Sequence, residues 1–187
     1  MRGRLLAAGA LVAGVGAAAA VRAGTTPDQL PIPARGIKVV AHASCPPGYD
    51  RAQFGNEPTS TTRARALAAF AQPDGTVWDT WNQQAVAPAT VQIDHVRALK
   101  SAWCFGAAGW TADVRRAFAR DPGNLIPTRA ATNDQKSDQD PGTWQPPSPA
   151  ARCDYALRWL TMTRTYHLAA LRADLVAAAA DYATCPG

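Results

Sequence analysis

Between Val91 and Lys136 the chain has to make a strand, a long excursion, a second strand and a helix, and no other stretch constrains the fold as tightly. Val91-Gln92-Ile93 alternates apolar and polar residues and runs directly into Asp94-His95, which puts an acid and an imidazole at a strand end. After the turn Asp121-Pro122-Gly123-Asn124, the run Asn124-Leu125-Ile126-Pro127 predicts a second short strand closed by Pro127. Thr128 then predicts the N-cap of a helix carrying Asn133 and Lys136. If the strands pair and the helix crosses them, Asp94 and Asn133 approach one another.

A carboxylate and an amide oxygen at such a crossing suit one hard divalent cation, Mg²⁺ or Mn²⁺, with Zn²⁺ as the alternative. His95 would stand beside it as a base for water, since an unperturbed imidazole titrates near neutrality. Lys136 lies one helical turn after Asn133 on the same face, where it could reach a phosphate oxygen. The reading requires Asn133 within a metal's reach of Asp94 and a His95 ring open to solvent.

The segments Ile93-Asp94-His95-Val96, Asp121-Pro122-Gly123-Asn124-Leu125 and Asn133-Asp134-Gln135-Lys136 resemble the HNH nuclease superfamily, with its ββα-metal fold. More narrowly, they look like the secreted actinobacterial branch related to the C-terminal domain of GmrSD-type restriction enzymes. The resemblance continues through Tyr49-Asp50-Arg51, Phe54-Gly55, Thr62-Arg63, Ala102-Trp103, Trp110, Trp144-Gln145-Pro146-Pro147, Arg152-Cys153-Asp154-Tyr155, Trp159 and Cys185, so it spans roughly residues 45–187. It implies an α+β fold: a ββα-metal core embedded in a mainly helical single domain with a C-terminal helical hairpin. It also implies that Asp94 and Asn133 hold the metal, that His95 is the general base, and that the Asn124 amide fixes the loop aiming His95. Arg51 belongs to the family's N-terminal motif, and Arg63 follows at a helix start; a guanidinium near the site can grip a phosphodiester as a bidentate fork. Relatives often carry Gly-Cys-Asp ahead of the Thr-Arg pair, where this chain has Thr59-Ser60-Thr61. The implied activity is endonucleolytic hydrolysis of DNA, with RNA as the alternative substrate, by a monomer. No recognition helix, zinc-finger spacing or RNP-like aromatic strand is visible, so little sequence specificity is expected. The competing class is a secreted, disulfide-stapled binding domain on the same scaffold that has lost catalysis.

The N-terminus reads as a secretory signal peptide over 1–23: a basic start at Arg2 and Arg4, an apolar run from Leu5 to Val21, and a small-residue cleavage site at Val21-Arg22-Ala23. A retained anchor is the competing reading, but the run is short for a span of about 20 residues. Cleavage removes Arg2, Arg4 and Arg22 and no acid, so the formal charge falls from +5 to +2 and bulk charge says little about nucleic acid. The mature product is then extracellular and not held at a membrane. Residues 24–44, rich in Pro and without periodicity, read as an extended leader in which His42 is a surface residue, and the domain itself as 45–187.

Within the domain, helices are expected over Arg63 to Ala71 behind Ser60-Thr61-Thr62, and over Ala112 to Arg120 behind Thr111. The second carries Arg115, Arg116 and Arg120, a basic face able to follow a phosphate backbone. Trp144 to Pro147 reads as a packing strap. Ser148-Pro149 starts a helix to about Tyr166, and a second helix, roughly Leu168 to Ala183, returns along it. That hairpin brings Cys153 toward Cys185 and leaves Cys45 with Cys104 by elimination, out of three possible connectivities. With no C-x-x-C spacing, thiol chemistry and a structural zinc site are both disfavoured.

Overall fold

The computed structural model describes residues 34–186, so the expected signal peptide lies outside the described residues. In chain order the regular elements are β1 (Val39–Val40), α1 (Ser60–Ala69), β2 (Val77–Asp79), β3 (Gln84–Val86), β4 (Val91–His95), α2 (Leu99–Cys104), α3 (Ala112–Arg120), β5 (Leu125–Arg129), α4 (Ala130–Lys136), α5 (Arg152–Thr165), β6 (Ala170–Leu171) and α6 (Arg172–Tyr182). The fold is α+β, with strands in three two-stranded pairs: β1 with β6 in parallel, and β2 with β3 and β4 with β5 antiparallel. No helix among the described residues is long and apolar enough to cross a membrane.

Local chemistry explains most element boundaries. Thr111 caps α3 by accepting from the Val114 amide, and the helix ends at Arg120 as expected. α1 starts earlier than the capping stretch suggests, because Thr59 rather than Ser60 accepts from the Thr62 amide. β4 runs through His95, and its partner β5 sets Ile93 opposite Pro127 and His95 opposite Leu125. Pro127 does not close β5. It forfeits one donor, while its carbonyl still accepts from the Thr80 amide at 3.2 Å. Thr128 is correspondingly a strand residue and not an N-cap; its hydroxyl donates to the buried Asp79 carboxylate at 2.8 Å.

Two aromatic clusters carry the core. In one, Tyr155 packs edge-to-face against Trp81 and Trp144, each at 5.3 Å between centroids, with Trp159 and α6 completing the layer. Trp144 thus straps the chain onto the core, as expected. The other gathers Phe54, Leu99, Trp103, Phe118 and Met162. α5 and α6 pack as the expected hairpin, closed by the Cys153–Cys185 disulfide, and Cys45–Cys104 forms the second bridge. The leader boundary at residue 44 needs correction. Ala34 and Ile37 are buried in the first cluster and Val39-Val40 pair with β6, so the packed domain begins before Cys45. His42 is exposed.

A buried ion pair that no sequence pattern announces sits between the clusters. Arg97, fully buried, pairs with Asp140, and its guanidinium lies 4.9 Å from the Phe105 ring centroid and 4.6 Å from that of Trp159. Asp140 also accepts from the Trp159 indole at 2.9 Å and from the Ser101 hydroxyl. Removing one partner leaves a charge stranded away from water. Asp140→Ala is therefore expected to lower unfolding free energy by about 3–5 kcal/mol, read from the urea midpoint. A loss below about 1 kcal/mol would mean Arg97 finds solvent in the variant.

Candidate active site

The chemistry-bearing residues meet where α4 lies against the β4–β5 pair. Gln92 and Asp94 share one face of β4 because strand side chains alternate, and Asn133 and Lys136 share one face of α4 because they are three residues apart. The two elements therefore meet in two rungs. Asn133 Nδ2 donates to Gln92 Oε1 at 2.6 Å, and Lys136 Nζ donates to Asp94 Oδ1 at 2.9 Å. Trp81 Nε1 donates to the other carboxylate oxygen at 2.9 Å. Asp94 is 3 % exposed and Lys136 fully buried.

Lys136 is thus the counterion of Asp94, not a cleft-facing phosphate ligand. Its ammonium is held between Asp94, the His95 carbonyl at 2.9 Å, and the Trp144 ring beyond.

His95 ends β4 with its ring nearly buried, 5 % exposed, where the sequence reading required an open imidazole. What remains open faces a cleft of about 480 Å³ whose lining also includes Asp94, Asn133 and Arg51. Nε2 lies 2.9 Å from the Ala119 carbonyl, which can only accept, so Nε2 carries the hydrogen and Nδ1 keeps the lone pair. Burial pushes the imidazole down from its ordinary 6.5 to about 4; the Ala119 carbonyl and Asp94 pull the other way, and Arg51 adds to the lowering. The ring is neutral at pH 7.

Asn124 is fully buried behind it. Its Oδ1 accepts from the Arg97 amide at 2.8 Å, its Nδ2 donates to the Arg97 carbonyl at 3.3 Å and to the Phe118 carbonyl at 3.5 Å, and its own carbonyl accepts from Val96 at 2.8 Å. One amide therefore clamps the residues just after His95 to the helix end that supplies the Ala119 carbonyl.

The two expected phosphate-binding arginines part company. Arg51 stands on the cleft wall, its Nε and Nη2 donating to the Glu57 carbonyl. Arg63 is not brought to the cleft: its Nη2 is spent on the carbonyls of Pro88 and Val91, at 3.1 and 2.9 Å, which tie α1 to the start of β4. The basic face of α3 is also engaged within the fold. Arg115 donates to the Trp110 carbonyl at 2.7 Å, Arg116 pairs with Asp113, and Arg120 pairs with Glu57.

Sequence reasoning missed Gln92, Tyr49 and Lys100 as parts of the site, and it placed Trp81 in a stretch wrapping the site without its bond to Asp94. Gln92 was within reach of the strand period, two residues before Asp94. The Trp81–Asp94 bond, thirteen residues apart, had no local signal.

Among the described residues no group of three or more His, Cys, Asp or Glu side chains could hold a metal ion. The oxygen donors that line the cleft are the carboxylates of Asp94, Asp134 and Asp138 and the side-chain amides of Gln92 and Asn133. Each Asp94 oxygen accepts one hydrogen bond and so retains a lone pair. Hard oxygens of this kind fit Mg²⁺ or Mn²⁺ better than Zn²⁺, because all four cysteines are in disulfides.

The site therefore sets an acid and an imidazole at one strand end of an α+β scaffold stapled by two disulfides. A family described as "GmrSD restriction endonucleases, C-terminal domain" matches residues 52–177, and the chain belongs to it. A protein of Arthroderma benhamiae described as an uncharacterized secreted protein is 36 % identical over 118 residues, covering 62 % of this chain and 54 % of the relative. The match thus spans about half of that relative's length. No solved structure matches significantly.

The depressed His95 pKa makes stability pH-dependent. The folded value lies below the unfolded one, so on acidification the unfolded chain takes up the proton first. The contribution is complete above about pH 6.5 and is lost as pH falls toward 4, worth about 2 kcal/mol by pH 5. In EDTA, the wild-type urea midpoint is expected to fall between pH 7 and pH 5 by more than that of His95→Gln. Parallel changes in the two proteins would show that His95 titrates normally.

Proposed function

We propose that this chain is an exported, metal-dependent endonuclease of the HNH type, hydrolysing phosphodiester bonds of DNA with little sequence preference. In this reading β4, β5 and α4 serve as the ββα-metal core. The observation that carries it is that His95, neutral at pH 7 and with Nε2 engaged by a carbonyl, lines the same cleft as Asp94 and Asn133. Membership of a restriction-endonuclease domain family supports the chemistry. The secreted description of the relative, together with the two disulfides, supports export.

Asp94 and Asn133 would hold the ion. When bound, Mg²⁺ or Mn²⁺ supplies charge stabilisation at the scissile phosphate and the departing 3′ oxygen. His95 takes the proton from the attacking water at Nδ1. The Ala119 carbonyl and the Asn124 clamp hold the ring so that Nε2 is occupied and Nδ1 is left to accept the proton. Lys136 and Trp81 position the Asp94 carboxylate from behind. Arg51 offers the phosphate a cation on the cleft wall. RNA remains the alternative substrate.

Two observations favour the competing binding-domain reading: both Asp94 oxygens already have protein donors, and the His95 ring is nearly buried. Plasmid nicking separates the two readings. The oxidised chain with Mg²⁺ or Mn²⁺ is expected to nick, EDTA to abolish nicking, and His95→Ala to lower the rate about 10²- to 10⁴-fold. Arg63→Ala, remote from the cleft, should stay within a few-fold of wild type. An inert wild type with either metal would leave the binding domain as the better reading.

A further inference from the structure

A second cleft, of about 850 Å³, opens between the segment leading into β1 and the C-terminal part of α5, and it shares no lining residue with the His95 cleft. Arg35, Lys38, Arg164 and His167 line it, with Leu157 and Leu168 among its apolar residues, and no carboxylate does. Neither the Lys38 ammonium nor the Arg164 guanidinium has an ion-pair partner among the described residues. Both side chains are exposed, and they come from elements far apart in sequence.

The overall charge gives this placement weight. Residues 1–33 hold three of the 19 basic side chains and one of the 14 acidic ones, so the rest of the chain carries 16 against 13, a formal charge of +3. Arg35, Lys38 and Arg164 alone equal that sum, which leaves everything else neutral in aggregate. The His95 cleft has no such excess: Lys136 neutralises Asp94 from behind, and Arg51 and Lys100 stand against Asp134 and Asp138. An approaching polyanion is therefore drawn to the second cleft before the first.

The backbone supplies an independent observation. α5 ends with the Leu168 amide donating to the Thr163 carbonyl at 2.9 Å and the His167 amide to that of Arg164 at 3.1 Å, the pattern that requires a left-handed residue between helix and exit. That residue is His167, at φ 52°, where glycine would sit without strain. An exposed imidazole is thus kept at a position whose backbone disfavours it, beside the two unpaired cations.

We infer that this cleft binds the phosphate backbone of a nucleic-acid strand, as a contact separate from the hydrolytic site. A recessed groove with cations on both walls admits a strand, whereas a bilayer presents its phosphates in a plane. The choice of nucleic acid among phosphate polymers rests on the nuclease reading above; the anionic character of the ligand does not.

Binding of a dye-labelled single-stranded oligonucleotide to the oxidised chain in EDTA, followed by fluorescence anisotropy across 50–200 mM salt, tests this without cleavage. The double variant Lys38→Glu/Arg164→Glu is expected to bind at least 10-fold more weakly. Its slope of log affinity on log salt should be shallower by about 1.4, at roughly 0.7 per lost single-strand contact. Lys38→Gln/Arg164→Gln should fall between, and serves as the reading if the charge reversals unfold the chain by circular dichroism. His167→Gly should bind more weakly yet melt no lower, a combination that a purely structural histidine would not give. Affinity and slope unchanged in these variants overturn the proposal. So does cosedimentation with phosphatidylserine vesicles that depends on Lys38 and Arg164 when the oligonucleotide does not bind. A wild type that fails to nick plasmid yet binds through Lys38 and Arg164 sinks the nuclease reading alone; nicking with no such dependence of binding sinks the second cleft alone.

Discussion

Taking the Asp94 carboxylate out of water would cost several kcal/mol if it stood alone. It is affordable here because a fully buried ammonium, Lys136 Nζ, meets one oxygen while the Trp81 indole meets the other. The rest of the site follows from that pairing. Lys136 is the last residue of α4, so its bond to Asp94 fixes how far the helix reaches along β4, and Asn133 falls over Gln92 one turn earlier. The same ammonium donates to the His95 carbonyl, so acid and imidazole are set by one group. Trp81 then joins the site to the core, since its other contacts are the edges of Tyr155 and Trp144.

A second constraint works from the opposite side. The last carbonyls of a helix have no intrahelical partner and must find one. α3 ends at Arg120, and the Ala119 carbonyl is spent on His95 Nε2. The orientation of the imidazole is thus a by-product of helix termination, and Asn124 makes it durable by tying the Phe118 carbonyl to the backbone of Arg97. Arg97 itself is anchored by Asp140, across the strap from α5. The excursion between His95 and Asn124 is therefore held at both ends by buried polar groups, not by apolar packing alone.

How much of this was legible in the sequence depended on the range of the interaction. Period-two alternation found β4 and the place of Asp94 and His95; capping chemistry found α3 to the residue; the hairpin after Ser148-Pro149 found the Cys153–Cys185 bridge. Thr128 misled because a hydroxyl before an Ala-rich segment looks like a cap, and only the fold reveals Asp79, 49 residues earlier, as its partner. Lys136 was placed on the right helix face, but whether that face meets water or a buried acid is a tertiary question. Arg63 and the α3 arginines show the same limit, since a basic residue's free or spent charge depends on carbonyls and acids that chain order does not reveal. The near-neutral value expected of an unperturbed His95 failed chiefly through burial, which composition cannot report.

The pairing of β1 with β6 has a consequence for how such a chain is made. Val39 is hydrogen-bonded alongside Ala170, so the first strand of the domain waits for almost the last. Closing a loop of that length costs little more than closing one half as long, but it must come late. During synthesis Ala34 and Ile37 have no completed layer to enter until α5 and α6 exist, and a nascent chain in that condition is still unlocked and can be threaded through a narrow channel.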